Sequence, residues 1–347
     1  MMRSGLKGKS ATSVIVLVLG AMLGLVGCAP RTVAEAERRG DVAWLDTEGS
    51  GEAVAALGRL ADKDPQAVQV LDARAATDVN AYIAGWAAIL RGASWGAATL
   101  RTGLGSPARA EETASVMARR DPHLIPFIPD LEGALVRLAA SKHNTAIAAV
   151  LASVGPDADA ALTRRLADSS TRGAVCRGIG SPDAQMSARR VLMKVPSTSR
   201  DDESCVEATL IAAVHDDLAL DWLATTAEPG LLSAAGAREA FPCSRLAMVW
   251  TKAFVARAPQ ASSTLTVPLH NAIARCARAL DPVLAPAMSQ SLSVYELIIA
   301  GLDAFGTEVQ DLPLTCAALQ PLFQGQGSAF TRERARAAAL KGCVFAK

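Results

Sequence analysis

Helix starts recur at short intervals along this chain of 347 residues. Five of them combine a capping side chain with a proline: Asp64-Pro65, Ser106-Pro107, Asp121-Pro122, Ser181-Pro182 and Asp281-Pro282. The Asp or Ser oxygen accepts hydrogen bonds from free backbone N–H groups, and Pro loses nothing at the first helical position by lacking an N–H. These recurring helix starts predict a succession of helices of about 10 to 16 residues joined by short links.

The apolar residues between these starts follow the helical period. Val54, Leu57 and Ala61 fall on one helix face, and Leu131 and Leu135 repeat the pattern. No run alternates convincingly between apolar and polar residues, so strands are not expected. Short links make consecutive helices antiparallel neighbours, and many stacked pairs form an α-solenoid. We therefore predict an all-α protein, with an irregular multi-helix bundle as the alternative to the solenoid.

Three segments resemble HEAT repeats. Residues 124–140 are similar to the first helix of such a repeat, which often contains a Pro, here Pro126. Residues 53–60 and 298–306 resemble the end of its second helix. The resemblance implies stacked antiparallel helix pairs over residues 50–306. The usual ladder of Asp and Arg between the two helices is not evident in the sequence.

The first 27 residues have the layout of a secretory signal. Arg3, Lys7 and Lys9 are followed by a nearly unbroken apolar run over Val14–Gly27. A run of about 14 residues is too short to cross a bilayer of about 30 Å as a helix, which needs roughly 20. This segment is therefore read as a signal that is removed. A plain signal peptide and an uncleaved anchor are alternatives to the lipid anchor described next.

The segment Leu25-Val26-Gly27-Cys28 resembles the lipobox of bacterial lipoproteins. The resemblance implies cleavage before Cys28, a diacylglycerol on its sulfur and a further acyl chain on its amine. Residues 1–27 are then the signal peptide, 28–50 the lipidated Cys and tether, and 51–347 the helical repeat domain. Ala29, rather than Asp, after the Cys implies sorting to the outer membrane, with the protein facing the periplasm.

Six cysteines follow Cys28 at regular spacing. They are Cys176, Cys205, Cys243, Cys276, Cys316 and Cys343. Taken in order as pairs, they close loops of 29, 33 and 27 residues, about one helical hairpin each. Because an exported protein meets an oxidising compartment, we predict three disulfides that join these pairs in sequence order. Buried free thiols are the alternative, whereas zinc ligands usually stand two to four residues apart.

The charge balance argues against one class of partner. Without residues 1–27 the chain carries 32 Lys and Arg against 34 Asp and Glu. A nucleic-acid binder needs a net basic surface, so none is expected as a partner. Arg far outnumbers Lys, which we attribute to genome composition rather than to a mechanism.

No motif for catalysis, a cofactor or a metal is recognisable in the sequence. The best polar cluster combines His215 with Asp216, Asp217 and Asp221. Acidic residues at the start of a helix are favoured by the helix dipole, so the cluster is more simply a helix start than a metal site. We predict no metal, no cofactor and no catalytic residue.

Three aromatic residues are candidate anchors for a protein partner: Tyr82, Trp86 and Trp95. The helical spacing of Trp86 fits a core position better. We predict a membrane-anchored scaffold or adaptor of the bacterial envelope that binds lipid through Cys28 and a protein through its helices. The alternative is a helical enzyme or small-ligand-binding protein with a site near His215 and Asp217.

Overall fold

The computed structural model describes residues 32–140, 144–195, 202–257, 264–303, 312–323 and 333. All regular secondary structure in these ranges is helical, which confirms the predicted all-α class. The chain divides into two compact units, Met1–Val116 and Met117–Lys347. Each unit contains its own cluster of buried apolar side chains.

The first unit arranges its described helices in two rows. They are α1 Val33–Arg39, α2 Val42–Glu48, α3 Gly51–Leu60, α4 Pro65–Arg74, α5 Val79–Leu90, α6 Trp95–Gly105 and α7 Ala110–Val116. In one row α1, α3, α5 and α7 pack on one another in that order, and in the other α4 contacts α2 and α6. Helices that are consecutive in sequence connect the two rows.

Two described helices, α1 and α2, lie inside the range 28–50 that the sequence analysis assigned to a tether. Thr32 caps α1 by accepting a hydrogen bond from the backbone N–H of Glu35 at 3.2 Å. Ala36, Val42 and Leu45 are buried in the core of the first unit. Because these side chains leave water only by packing against α3 and its neighbours, α1 and α2 belong to the unit.

The second unit repeats the two-row pattern. They are α8 Ile128–Arg137, α9 Thr145–Ser153, α10 Asp159–Ala167, α11 Arg172–Ile179, α12 Met186–Lys194, α13 Glu203–His215, α14 Asp217–Thr225, α15 Pro229–Ala237, α16 Cys243–Arg257, α17 Thr266–Ala287, α18 Leu292–Asp303 and α19 Pro313–Phe323. Short 3₁₀ helices, Pro122–Phe127 and Pro156–Ala158, precede α8 and α10. The odd-numbered helices from α9 to α17, followed by α19, pack in one row, and the even-numbered helices from α8 to α16 pack in the other.

Glycine permits two close contacts between helices. A Cβ on Gly178 of α11 would lie 2.5 Å from the carbonyl carbon of Ala148 in α9. A Cβ on Gly96 of α6 would clash with the carbonyl oxygen of Gly85 in α5. Any side chain at either position would force the paired helices apart in an otherwise close-packed interior.

Two of the predicted helix starts are confirmed. The carboxylate of Asp64 accepts from the N–H of Gln66 at the start of α4, and that of Asp121 accepts from the N–H of His123. The starts predicted at Ser106 and Ser181 are shifted, because turns follow both residues. The corresponding helices, α7 and α12, begin at residues 110 and 186.

The helix start predicted at Asp281 is wrong, because Asp281 lies inside α17. Its buried carboxylate accepts from the N–H of Leu314 at 2.9 Å and from the N–H and hydroxyl of Thr315 at 2.8 and 2.7 Å. Asp281 therefore caps α19, which begins 32 residues later in the sequence. Asp281 is thus a capping residue, as its residue type predicts, but it caps a different helix from the one expected.

Two of the predicted disulfides are present. Cys176 of α11 bonds to Cys205 of α13, and Cys243 at the start of α16 bonds to Cys276 of α17. Cys316 in α19 is also disulfide-bonded. Its predicted partner, Cys343, lies outside the described residues.

Arginine side chains hold the carbonyl ends of neighbouring helices. Arg275 donates to the carbonyls of Ala235, Gly236 and Phe241, at and beyond the end of α15. Other arginines bind carbonyls at or beyond the end of an earlier helix in the same way: Arg74, Arg91, Arg109, Arg172 and Arg257. A guanidinium reaches several carbonyls at once, which a Lys ammonium does less well. These arginines thus have a structural role at the ends of helices.

Ion pairs also join neighbouring helices within a row. Arg59 of α3 pairs with Glu37 of α1, and Arg164 of α10 pairs with Glu132 of α8. Each pairing lowers the pKa of the glutamate, chiefly through the hydrogen bond from its arginine. These contacts between arginine and glutamate join helices of one row and were not evident in the sequence.

Candidate interaction surface

Helix α5 places two of the three predicted anchors in the core. Asp78 caps this helix by accepting from the N–H of Asn80 at 2.9 Å, which fixes the register of its faces. Tyr82 is fully buried and its hydroxyl donates to the carbonyl of Ala75. Burial raises the pKa of Tyr82. Trp86 is also buried, as its helical spacing suggested.

Trp95 is the partly exposed member of the predicted set. Its Nε1 donates to the carboxylate of Asp62 at 3.0 Å, and Arg91 donates to the same carboxylate. The hydrogen bonds from Arg91 and then Trp95 lower the pKa of Asp62. Trp95 also packs against the core of the first unit. Its indole is therefore held in place at the surface.

Helix α5 also exposes apolar side chains to solvent, on a side of the helix that borders Trp86. Val79, Ile83 and Leu90 are 39%, 50% and 49% exposed. Their spacing of four and seven residues places them on one side of the helix. A helix that is apolar on its exposed face as well as its buried face is typical of a binding surface. We refer to Val79, Ile83 and Leu90 as the α5 stripe.

The polar cluster around His215 is engaged in structural contacts. Asp216 is buried and accepts from Arg190 at 2.7 Å, while Asp217 pairs with Arg245 at 2.6 Å. Asp221 pairs with Lys252 at 2.5 Å. Each base comes from a helix next to α14 in the same row. Within the described ranges, no group of three or more His, Cys, Asp or Glu side chains is placed to hold a metal ion.

A cavity of about 150 Å³ lies beside this cluster. It is mainly apolar and is bounded by α13 and the turn after α15: Glu207, Leu210, Ile211, Val214, Arg238, Ala240 and Phe241. His215 and Asp217 do not line it. Its size suits one apolar side chain or a small ligand better than a large substrate.

Two predicted features lie outside the described residues: the signal segment, and Cys28 with its lipidation. Among the helices that are described, none combines the length and the apolar character needed to cross a bilayer.

No family model matches this chain, and neither the curated proteins nor the solved structures contain a match.

Sequence reasoning missed the α5 stripe and the arginine contacts at helix ends. The stripe had a signal, because Val79–Leu90 is apolar on all sides, more than a helix buried on one face requires. The arginine contacts had only the excess of Arg over Lys as a signal.

Proposed function

We propose that this protein is a lipid-anchored, HEAT-like helical scaffold of the bacterial cell envelope that holds a partner protein. The observation that carries the proposal is the two-row packing of helices within each unit. In such an arrangement each helix pair contacts its neighbours in the row, as in solenoid proteins. Solenoids use long exposed surfaces, rather than a single pocket, to bind other proteins.

The α5 stripe is the surface we assign to the partner. Trp86, a candidate anchor in the sequence analysis, is buried and is not part of this surface. Three apolar side chains on one exposed helix face lose contact with water when a partner covers them. Trp95, with its indole fixed by Asp62, belongs to the same unit.

The lipid anchor is supported by the lipobox-like residues 25–28. In this proposal Cys28 carries the acyl chains, and several chains together give stable membrane binding. Because α1 begins at Val33, the intervening residues span at most about 17 Å. The first unit is then held close to the membrane surface. In this proposal that surface is the inner face of the outer membrane.

Crosslinking in native membranes tests the scaffold function. We expect the wild-type chain to capture one dominant partner protein, and Ile83→Glu to abolish capture because it places a charge in the stripe. Ala55→Glu is the matched control, since Ala55 is exposed on the neighbouring helix α3. Both variants should retain the wild-type circular dichroism spectrum.

Capture that is equal for Ile83→Glu and wild type contradicts the assignment of the stripe. The complete absence of a partner contradicts the scaffold function and favours the alternative, a small-ligand-binding protein that uses the cavity beside α13. Intact-mass measurement of the membrane-extracted protein tests the anchor separately. The expected mass is that of residues 28–347 with acyl groups, and an unmodified mass rules the anchor out.

A further inference from the structure

Arg189 of α12 is a buried cation with few hydrogen bonds. It is 8% exposed, and its Nη2 donates to the carbonyl of Ser181 at 3.3 Å. Its Nε is buried and meets no acceptor among the described residues. Burying a guanidinium is costly unless its charge is balanced and its N–H groups are bonded. The Nε–H of Arg189 therefore lacks a hydrogen-bond acceptor, and a bound ligand is able to supply one.

Arg275 of the same unit has more acceptors for its guanidinium than Arg189 has. Arg275 donates to the carbonyls of Ala235, Gly236 and Phe241, and the last of these bonds is 2.7 Å long. Carbonyl oxygens at helix ends carry partial negative charge and so balance the buried cation. Among the described residues, Arg189 donates to one carbonyl, that of Ser181, at the longer distance of 3.3 Å.

A second guanidinium lies beside Arg189. Arg120 donates through Nε to the carbonyl of Asp183 at 3.0 Å and through Nη2 to that of Pro182 at 2.6 Å. Arg189 donates to the carbonyl of Ser181, so the two guanidinium groups together donate to the carbonyls of the consecutive residues 181–183. They are close enough that Arg120 adds to the effect of burial in lowering the pKa of Arg189.

Further polar groups complete the surroundings. The hydroxyl oxygen of Ser181 is buried and has no partner among the described residues. A third arginine, Arg119, lies in the same region. Burial lowers the pKa of Arg119, and the negative charge of Asp183 opposes that shift. The Arg119 side chain also donates to the carbonyl of Met117. The negative charge of Asp183 thus acts on Arg119, whereas the charge that acts on Arg189 is the positive charge of Arg120.

We propose that Arg120, Arg189 and Ser181 form a binding site for a phosphate group, either as free phosphate or as part of a larger ligand. Guanidinium groups form strong, charge-assisted hydrogen bonds with phosphate oxygens. A tetrahedral oxyanion has enough oxygens to accept from both arginines and from the hydroxyl, whereas a carboxylate has two. The anion supplies both the missing acceptor for Nε and the missing negative charge. This site is independent of the proposed partner surface in the first unit.

Isothermal titration of the full chain with sodium phosphate, in buffers of matched ionic strength, tests the site. We expect saturable binding of one phosphate per chain. Loss of a charge-assisted hydrogen bond should make Arg120→Gln bind about tenfold or more weakly. Arg164→Gln is the matched control, because Arg164 is an exposed arginine of the same unit with a carboxylate partner, and it should bind like wild type.

Arg120 is exposed, so its replacement is expected to leave the fold intact. Ser181→Ala provides a second test that changes no charge and should weaken phosphate binding several-fold. The proposal is overturned if the wild type shows no saturable binding, or if Arg120→Gln and Ser181→Ala both bind phosphate as tightly as Arg164→Gln does. Competition with glycerol phosphate and with phosphatidylglycerol vesicles, set against phosphatidylcholine vesicles, distinguishes a free phosphate ester from a lipid headgroup.

Discussion

At the residue scale, Asp216 shows how one side chain links three helices. It is the last residue before α14, where its Oδ1 accepts from the N–H of Leu218 at 3.1 Å. It also follows α13 directly, and its carboxylate accepts from Arg190 of α12. The hydrogen bond from Arg190 is the main reason that the pKa of Asp216 is lowered. The helix start was predictable from sequence, whereas the arginine was not, because it is 26 residues away.

The lowered pKa of Asp216 predicts a pH dependence of stability. A carboxyl whose folded-state pKa is depressed stabilises the fold fully above its unfolded-state value of about 3.9 and loses that contribution as the pH falls through the folded-state value. Asp216→Asn keeps the cap but removes the charge, so we expect it to cost about 1–2 kcal/mol at pH 7 and less at pH 3. Urea unfolding at both pH values measures this. An equal cost at both values contradicts the prediction.

At the scale of the element, the ends of the helices are stabilised by side chains from other helices. The sequence showed the caps at Asp64 and Asp121, because a local cap bonds to residues two or three positions away. Asp281 and Arg275 act across 33 or more residues, which sequence spacing alone does not reveal. Both contacts join α17 to a neighbouring helix of the same row.

Replacing Arg275 by Lys tests the role of these contacts. Lys keeps the positive charge but cannot donate to three carbonyls at fixed angles, so we expect a loss of about 1–3 kcal/mol in the free energy of unfolding. Arg164→Lys is the control, because its exposed ion pair should contribute no more than about 1 kcal/mol. Chemical denaturation of both variants decides the matter. Equal effects at the two positions show that charge, rather than geometry, is what Arg275 contributes.

At the scale of the whole molecule, the covalent cross-links are unevenly distributed. Both described disulfides lie in the second unit, whereas residues 29–175 contain no cysteine. Closing a loop of about 30 residues adds roughly 3–4 kcal/mol in the chain-entropy model. The second unit should therefore depend on oxidation for its stability, and the first should not.

Reduction with a mild thiol reductant tests this difference. We expect amide hydrogen exchange to increase in the helices of the second unit, from α11 to α17, and to remain unchanged from α1 to α7. Mass spectrometry of peptides from the oxidised and reduced protein measures it. Equal increases in both units, or none in the second, contradict the expectation. The double variant Cys176→Ser/Cys205→Ser separates one bond from the other.

The sequence by itself determined the helical class, the local caps at Asp64, Asp121 and Asp216, and two cysteine pairs one hairpin apart. These features depend on neighbouring residues or on simple spacing, so local physical chemistry is sufficient to predict them. The tertiary structure decided which helices share a row, which carbonyls each arginine holds, and that Trp86 is buried while Ile83 is exposed. These features depend on packing between distant segments, and packing decides which side chains are removed from water.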